Sequence, residues 1–400
     1  MALRRFLPGP DARQGLVSLV LNSSTSIVAG GVLGSLTATF QRRPGLLVLV
    51  PAAIGLRGNV FGSLGNRVST SIHAGEFQLR LRRSTILGQN VLAASALTLG
   101  ISLILVALVQ VVSIGLGHGH TIGLADLTFV SVGGGTLASL PVLAATLGLA
   151  AGAVRFGWDL DNVTAPLVST LGDVITLPAL WLATLLLGVG VVGSTIGWLF
   201  GLAAIASLVV GARSPLPQLR RIVRDSLPVL VFAAAVSALA GVVLERRLDA
   251  FSVLPALLIL VPAHLSSAGA LGGILSGRLS SQLLLGTAPA TVVPSRAARR
   301  DLYLVLGLSL PVFAFNGAGA AVAARLLDQP SPGTAWLIGA SIVAGAMAMV
   351  VVIAIAYYGT IAAVRTGIDP DTYGIPIVSS TVDLIGALTL IITIGALGII

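Results

Sequence analysis

The sequence predicts an all-α integral membrane protein, and three observations carry that prediction. Hydrophobic residues make up 56% of the 400 residues, charged residues make up only 9%, and the mean hydropathy is +1.02. Soluble domains carry about 25% charged residues, so an ordinary soluble fold is excluded. Apolar runs of roughly 20 residues recur along the chain, and each is long enough to cross a bilayer as a helix.

The basic residues and the missing cysteines limit the kinds of partner and chemistry. Basic residues number 23 against 14 acidic ones, and the formal net charge is +9. In a soluble chain such an excess suggests nucleic acid, but in a membrane chain it indicates arginines gathered on one face of the bilayer. We therefore expect the lipid bilayer, and not nucleic acid, as the partner. The absence of cysteine excludes disulfides, thiolate metal sites and cysteine nucleophiles.

Marking every apolar run of membrane-spanning length predicts eleven transmembrane helices. They cover residues 14–40, 45–66, 85–113, 125–153, 163–188, 191–211, 226–244, 254–276, 302–326, 334–363 and 375–399. Only a short Gly-Val-Val-Gly-Ser stretch separates the fifth span from the sixth, and we interpret them as two helices. That choice decides on which side of the membrane every later loop lies.

The arginines of the loops predict the orientation. With the N-terminus in the cytoplasm, the inside segments hold about three times as many arginines as the outside segments. The outside segments then hold Arg42, Arg43, Arg246, Arg247 and Arg325. The positive-inside rule therefore predicts a multi-pass protein of the cell (plasma) membrane with a cytoplasmic N-terminus and an outside C-terminus.

The chain contains an internal repeat. Residues 46–75 align without gaps to residues 257–286, and residues 159–175 align to residues 369–385. The matched positions include Pro51/Pro262, Gly58/Gly269, Arg67/Arg278, Pro166/Pro376, Ser169/Ser379 and Asp173/Asp383. Self-similarity over this length is the signature of a duplicated structural unit.

The duplication predicts the domain organisation. Residues 1–190 and 225–400 form two five-helix units, and residues 191–224 form a linking transmembrane helix and a basic cytoplasmic loop. Two five-span units joined directly would be inverted, but the linking helix restores a parallel orientation about an axis along the membrane normal. We expect about eleven helices around a central pore, and a monomer suffices as a pseudo-dimer.

Two aspartates inside the predicted fifth spans are the strongest candidates for chemistry. Asp173 and Asp383 occupy the same place in each repeat. A carboxylate in the hydrocarbon costs about 2.5–3.5 kcal/mol on insertion scales, so the default interpretation is an ion pathway. Two facing carboxylates repel unless a cation lies between them, which favours a divalent cation as the guest. The alternative is a hydrogen-bonded or protonated aspartate that locks helix packing.

Residues near each aspartate supply further oxygen ligands. Ser169 and Ser379 lie one helical turn before the aspartates and on the same face. Pro166 and Pro376 are expected to free a backbone carbonyl near the helix start. Hydroxyls and carbonyls are ligands that Mg²⁺ or its retained waters prefer. We interpret these four residues as lining the pathway, although serine and proline are also common at span ends.

The second span of each repeat is rich in glycine. Gly58, Gly62, Gly269 and Gly273 fall at spacings that allow close helix approach or expose backbone carbonyls to a pore. Packing alone explains such spacing about as well as a pathway does. Asn59 is a candidate ligand in the first repeat, but the second repeat has alanine there, so that role cannot be symmetric.

Acidic pairs precede the fifth span in each repeat. Asp159 and Asp161 match Asp369 and Asp371. They lie at the predicted cytoplasmic mouth, where they would concentrate or sense cations. The equally good alternative is that they complement the dipole at the N-terminus of the following helix.

These motifs resemble those of the MgtE family of magnesium transporters and its fused solute carrier family 41 branch. The resemblance rests on P-x-x-x-G-x-x-GN followed by R-x-ST in the second span, and on D-P-D-x-x-x-x-P-x-x-x-x-x-x-D at the fifth. It implies two transporter units around one pore, with Asp173 and Asp383 as the central Mg²⁺ site. The halves depart from the motifs at Leu160, where proline is expected, and at Ala270, where asparagine is expected.

The sequence leaves three functions to weigh. The first is transport of divalent cations, with Mg²⁺ as first choice and Mn²⁺ or Co²⁺ as further cargo. The second is exchange of Mg²⁺ against Na⁺ or H⁺, which the same residues would permit. The third is an intramembrane aspartyl protease, which is disfavoured because Val382 precedes Asp383 and the two aspartates lie in duplicated units. We expect a transporter and not an enzyme.

Overall fold

The computed structural model describes residues 10–43, 45–73, 75–115, 122–156, 160–187, 191–284, 289–366 and 375–398. Within those ranges the regular secondary structure is helical throughout. In chain order the helices are α1 (Pro10–Ser35), α2 (Thr37–Arg42), α3 (Leu46–His73), α4 (Ile86–Gly115), α5 (Leu124–Thr128), a π-helical turn (Phe129–Gly134), α6 (Gly135–Phe156), α7 (Leu160–Leu186), α8 (Val191–Ala212), α9 (Pro217–Glu245), α10 (Leu248–Val253), α11 (Ala256–Leu284), α12 (Arg296–Leu326), α13 (Thr334–Arg365) and α14 (Ile375–Ala396).

The helices have the length and composition of membrane spans. Ten of those in the described part of the chain are long and apolar enough to cross a bilayer, and α7 adds a shorter apolar segment over residues 170–186. The fifth and sixth predicted spans are separate helices, since α7 ends at Leu186 and α8 begins at Val191. The protein is therefore an all-α integral membrane protein, as its composition predicts.

Several helices begin before the apolar residues do, because capping rather than hydropathy decides where a helix starts. The ninth span was predicted to begin at residue 302, but α12 begins at Arg296. The Ser295 hydroxyl oxygen accepts a hydrogen bond from the Ala298 backbone N–H at 3.2 Å, which satisfies one of the free donors of the first turn. Thr85 does the same for Gly88 at the start of α4.

The chain divides into two compact units. The first unit is Ala38–Glu245 and contains α3 to α9. The second unit is Met1–Thr37 together with Arg246–Ile400 and contains α1 and α10 to α14. Each unit is built around the second helix of one repeat, which is α3 in the first unit and α11 in the second.

The first helix of each repeat packs in the unit formed by most of the other repeat. Helix α1 packs against α11 and α12 in the second unit, and α9 packs against α3 and α4 in the first unit. The repeat alignment pairs α1 with α9, α3 with α11 and α4 with α12, so the two arrangements are equivalent. The linking helix α8 packs against α4, α5 and the π-helical turn within the first unit.

We call α1 and α9 the exchanged helices, because each packs in the unit formed mostly by the other repeat. Each contacts its neighbour closely at one glycine. Gly241 of α9 lies against the Val48 carbonyl, and Gly30 of α1 lies against the Ile259 carbonyl, so closely that a Cβ at either glycine would overlap the carbonyl oxygen. The repeat alignment pairs these contacts with one another. The duplicated units therefore share a backbone-to-backbone contact that only glycine permits.

Candidate cation site

In the first unit, Asp173 lies where the fifth helix of the repeat crosses the second. Its side chain is only 4% exposed. Helix α7 packs against α3, and a Cβ at Gly172 would lie 3.3 Å from the Arg57 Cβ and 3.8 Å from the Gly58 backbone nitrogen. The fold therefore brings the segment around Asp173 to the glycine-asparagine motif, at Gly58 and Asn59, that the sequence singled out.

In the second unit, Asp383 lies on the equivalent crossing. Helix α14 packs against α11, and a Cβ at Gly272 would lie 3.9 Å from the nearest Val382 methyl carbon. One turn later, a Cβ at Gly386 would lie 3.7 Å from the His264 ring. Asp383 is half-buried, whereas Asp173 is buried. Each unit thus places one carboxylate of its fifth helix beside the glycine-rich second helix.

Open space adjoins three of the predicted pathway glycines. Nothing in the described structure lies within 4 Å of a Cβ built at Gly62, Gly269 or Gly273. These glycines are not the ones that permit close helix packing, which are Gly30 and Gly241. Asn59 is buried and takes part in an interaction with its surroundings. A methyl group at Gly62, Gly269 or Gly273 would therefore meet no described neighbour.

The structure describes some of the remaining predicted site residues. The Ser379 hydroxyl donates to the Pro376 carbonyl oxygen at 3.3 Å. Pro376 is the second residue of α14. The N–H groups of a first turn have no acceptor within the helix, so a proline there leaves no helical carbonyl without its hydrogen bond. The carbonyl that Pro376 was expected to free is therefore not freed within α14. Asp159, Asp369 and Asp371 lie outside the described residues. Asp161, Pro166 and Ser169 are described only as backbone of α7.

The donor set of the site is sparse. Within the described ranges no group of three or more His, Asp or Glu side chains is placed to hold a metal ion. A single carboxylate per unit cannot fill the coordination sphere of a dehydrated ion. It suits Mg²⁺, which keeps several of its waters and is bound through one or two carboxylates.

Two buried ionisable residues inside the spans were not predicted as site residues. Arg57 on α3 is 1% exposed, and His264 on α11 is 0% exposed. Neither nitrogen of the His264 ring has a hydrogen-bond partner among the described residues, and the ring lies 5.1 Å, centroid to centroid, from Phe313. The available signal was that each lies within a predicted apolar span, where every ionisable residue needs a reason.

Away from the aspartates, an arginine joins the second and third helices of the repeat in both units. In the second unit Arg278 Nε donates to Asp301 Oδ1 at 2.7 Å, and Gln282 Nε2 donates to Asp301 Oδ2 at 2.6 Å. In the first unit Arg67 Nε donates to Asn90 Oδ1 at 2.8 Å. We call these the arginine clamps. The equivalent positions carry a charged acceptor in one unit and a neutral one in the other.

Comparison with known proteins decides the family. The sequence profile of MgtE, described as a divalent cation transporter, matches residues 50–183 and again residues 261–393, which together are more than half of the chain. The chain belongs to the MgtE family. Each of the two MgtE matches contains one copy of the internal repeat, with Asp173 in the first and Asp383 in the second. The resemblance seen in the motifs is thereby confirmed.

Curated relatives of this MgtE family chain are solute carriers. It is 25% identical over 303 residues to solute carrier family 41 member 3 of Rattus norvegicus, covering 72% of this chain and 63% of the relative. It is 27% identical over 269 residues to the Mus musculus member 3, covering 64% and 52%. It is 26% identical over 420 residues to member 2 of Xenopus laevis, covering 97% and 72%. No solved structure matches the chain significantly.

Proposed function

We propose that this protein carries divalent cations, with Mg²⁺ as its principal cargo, across the cell membrane. Membership in a family of divalent cation transporters carries the proposal. The chain spans 63% and 52% of the first two relatives' lengths. The buried aspartate at the helix crossing of the first unit, and its counterpart in the second, supply the chemistry such transport needs.

In this proposal Asp173 and Asp383 coordinate the cation during its passage, directly or through its waters. Three facts support the assignment. The two aspartates hold equivalent places in the repeats, each adjoins the glycine-rich second helix, and open space adjoins glycines of that helix. One carboxylate from each repeat attracts a divalent cation yet allows it to leave, which conduction requires. A single chain carries both carboxylates, so a monomer suffices.

The test is cation flux into liposomes that contain a Mg²⁺-sensitive dye. We expect influx with the wild-type protein, a large loss with Asp173→Asn or Asp383→Asn, and near-total loss with both changes. Asp225→Asn is the matched control, because that aspartate is half-buried near the start of α9 and pairs with the exposed Arg221 one turn away. Wild-type flux in the double variant would refute the aspartate assignment. No divalent flux from folded wild-type protein would refute transport itself.

The same vesicles separate passive transport from exchange. Mg²⁺ flux that ignores imposed Na⁺ and H⁺ gradients indicates a channel-like pathway, and flux that stops without one gradient identifies the counter-ion. Competition by Mn²⁺ and Co²⁺ at equal concentration measures selectivity. Cleavage of a helical substrate that is lost in Asp173→Asn, with cation flux unchanged, would instead favour the intramembrane protease.

The orientation is testable because the chain contains no cysteine. We propose a cytoplasmic N-terminus and an outside C-terminus, in keeping with the arginine distribution. Arg299 in the first turn of α12 and Arg247 in the turn after α9 are both exposed, and the proposed topology puts them on opposite sides. In intact cells a membrane-impermeant maleimide should label Arg247→Cys and leave Arg299→Cys unlabelled. The reverse pattern would invert the topology.

A further inference from the structure

Arg57 is a buried cation that forms no ion pair within the described ranges. It lies in the middle of α3, its side chain is 1% exposed, and its Nη1 donates to the Ala53 carbonyl one turn earlier. Its Nε and Nη2 groups have no hydrogen-bond partner within the described structure. A guanidinium remains charged under all ordinary conditions, and a buried charge persists only when it is paired. The described structure therefore leaves this charge uncompensated.

More unpartnered donors lie beside the guanidinium. A Cβ at Gly135, the first residue of α6, would overlap Arg57 Nη2 and would lie 2.9 Å from the Ser102 hydroxyl oxygen. The two donors therefore flank the same glycine. Ser102 Oγ has no hydrogen-bond partner in the described part of the molecule, and neither does Thr98 Oγ1 one turn earlier on α4. Buried hydroxyls rarely stay unpaired.

The second repeat shows that the fold does not require these donors. The repeat alignment, continued along the next helices, pairs Ser102 with Phe313, Gly135 with Gly345 and Arg57 with Ala268. The pairing is structural too, since the Ser131 hydroxyl donates to the Ser102 carbonyl and the Ser341 hydroxyl to the Phe313 carbonyl, both at 2.7 Å.

In the second unit the space beside the glycine is filled by the Phe313 ring, which a Cβ at Gly345 would overlap. The same backbone arrangement thus accommodates an apolar ring in place of the polar groups. The first unit instead places a charge and hydroxyls there, directly after a π-helical turn, and π-helical turns occur frequently at functional sites. The guanidinium and the Ser102 hydroxyl are found in the first repeat alone, whereas the hydroxyl of Thr98 is matched by that of Ser309.

We propose that Arg57, Ser102 and Thr98 form a buried binding site for a small monovalent anion, with chloride as the occupant. Every free group of Arg57 is a donor and its charge is positive, so the ligand must accept hydrogen bonds and carry negative charge. Each hydroxyl can donate one further bond. Arg57 Nη2 and Ser102 Oγ both adjoin Gly135, and Thr98 lies one turn before Ser102 on the same helix. Arg57 lies beside Gly172, so this site adjoins Asp173 in the first unit, and chloride binding is measured without cation transport.

The experiment measures chloride binding by the purified full chain in detergent. Thermal unfolding is recorded against NaCl at constant ionic strength, with sodium gluconate as the balancing salt, and binding of radioactive chloride is measured in parallel. We expect a saturable rise in the unfolding temperature with chloride and a matching binding curve. Bromide should substitute for chloride, whereas gluconate should not.

Three variants test which residues hold the anion. Arg57→Gln should abolish binding and its temperature shift, and Ser102→Ala should weaken affinity about tenfold by removing one donor to a charged ligand. Arg155→Gln is the control, because Arg155 is exposed at the end of α6, and it should bind chloride like wild type.

A further variant guards against misfolding. Ala53→His, Arg57→Ala and Ser102→Phe together copy the residues of the second repeat, so this protein should fold and fail to bind chloride. Absence of saturable chloride binding by folded wild type would overturn the proposal, and so would unchanged binding in folded Arg57→Gln. Chloride binding is read out without Mg²⁺, so either outcome is distinguishable from a failure of Mg²⁺ transport.

Discussion

In the first unit a Cβ at Gly135 would overlap the Arg57 guanidinium, whereas in the second unit a Cβ at Gly345 would overlap the Phe313 ring. The serine-to-carbonyl hydrogen bonds beside these two places are equal at 2.7 Å. The arginine clamps differ in the same way, with a carboxylate in one unit and an amide in the other. Backbone contacts between helices are thus kept while the side chains they enclose diverge. A duplicated chain can change the side-chain chemistry of one repeat while it keeps the backbone packing of that repeat.

The largest effects should come from the contact that the two units share. Gly241→Ala and Gly30→Ala each force a Cβ into a backbone carbonyl, which cannot rotate away as a side chain would. We expect each to lower the free energy of unfolding by about 1–3 kcal/mol or more. Thermal unfolding in detergent measures this. Gly339→Ala, with nothing within 4 Å of its Cβ, is the control, and a wild-type unfolding temperature in either variant would contradict the shared contact.

The arginine clamps should respond unequally. Asp301→Asn removes a buried carboxylate that accepts from both Arg278 and Gln282, so we expect a loss of about 1–3 kcal/mol in the free energy of unfolding, moderated by the partial exposure of Arg278. The reverse change, Asn90→Asp, gives Arg67 a charged acceptor but loses the Asn90 donation to the Ile86 carbonyl. It should shift stability by less than about 1 kcal/mol. Equal losses from the two changes would show that charge is irrelevant to the clamps.

Replacing His264 tests whether the second unit is packed as an apolar interior. His264→Phe removes two ring nitrogens that have no hydrogen-bond partner in the described part of the chain, and it keeps a ring beside Phe313. We expect the unfolding free energy to stay equal or to rise by about 1 kcal/mol, since unpaired buried polar groups are costly. His264→Ala is the comparison variant, and it should destabilise by leaving a cavity. A large loss in the phenylalanine variant would mean that the imidazole has an essential polar partner.

The smallest effect is expected at the open glycines. Gly62→Ala and Gly273→Ala place a methyl group in open space. Each should raise the free energy of unfolding by up to about 1 kcal/mol, because alanine has a better helix propensity than glycine. Unfolding and flux are measured on the same preparation. A reduced Mg²⁺ flux in a stabilised variant would place that glycine on the pathway. Destabilisation of either variant would show that the space is filled in the folded protein.

The sequence predicts the helices well because hydropathy reports directly on burial in a bilayer. The predicted spans correspond to described helices, including the separation between Leu186 and Val191, where the apolar run is almost continuous. Helix ends were less accurate, since caps such as Ser295 extend a helix into polar sequence. The exchange of α1 and α9 was beyond prediction, because an apolar helix carries no sign of which neighbour it packs against.

The candidate site was predicted in part. Repetition identified Asp173 and Asp383, and the structure brings each aspartate's helix to a glycine-rich second helix. Arg57 was overlooked because one arginine hardly lowers the mean hydropathy of residues 45–66, and because the second repeat has alanine there. Comparing the repeats finds what they share. The residues in which they differ become meaningful only when the structure shows what surrounds them.

The exchanged first helices have a consequence for how the chain is made. Helix α1 leaves the ribosome roughly 250 residues before α11 and roughly 290 before α12, an interval on the order of 12–60 s at about 5–20 residues per second. During that time its second-unit partners do not exist, so lipid or an insertion factor must cover its packing face. The first unit remains incomplete until α9 has been synthesised. The second unit remains incomplete until α10 to α14 have been synthesised. Assembly is therefore a late event, and a nascent chain halted midway holds two unfinished bundles rather than one finished half.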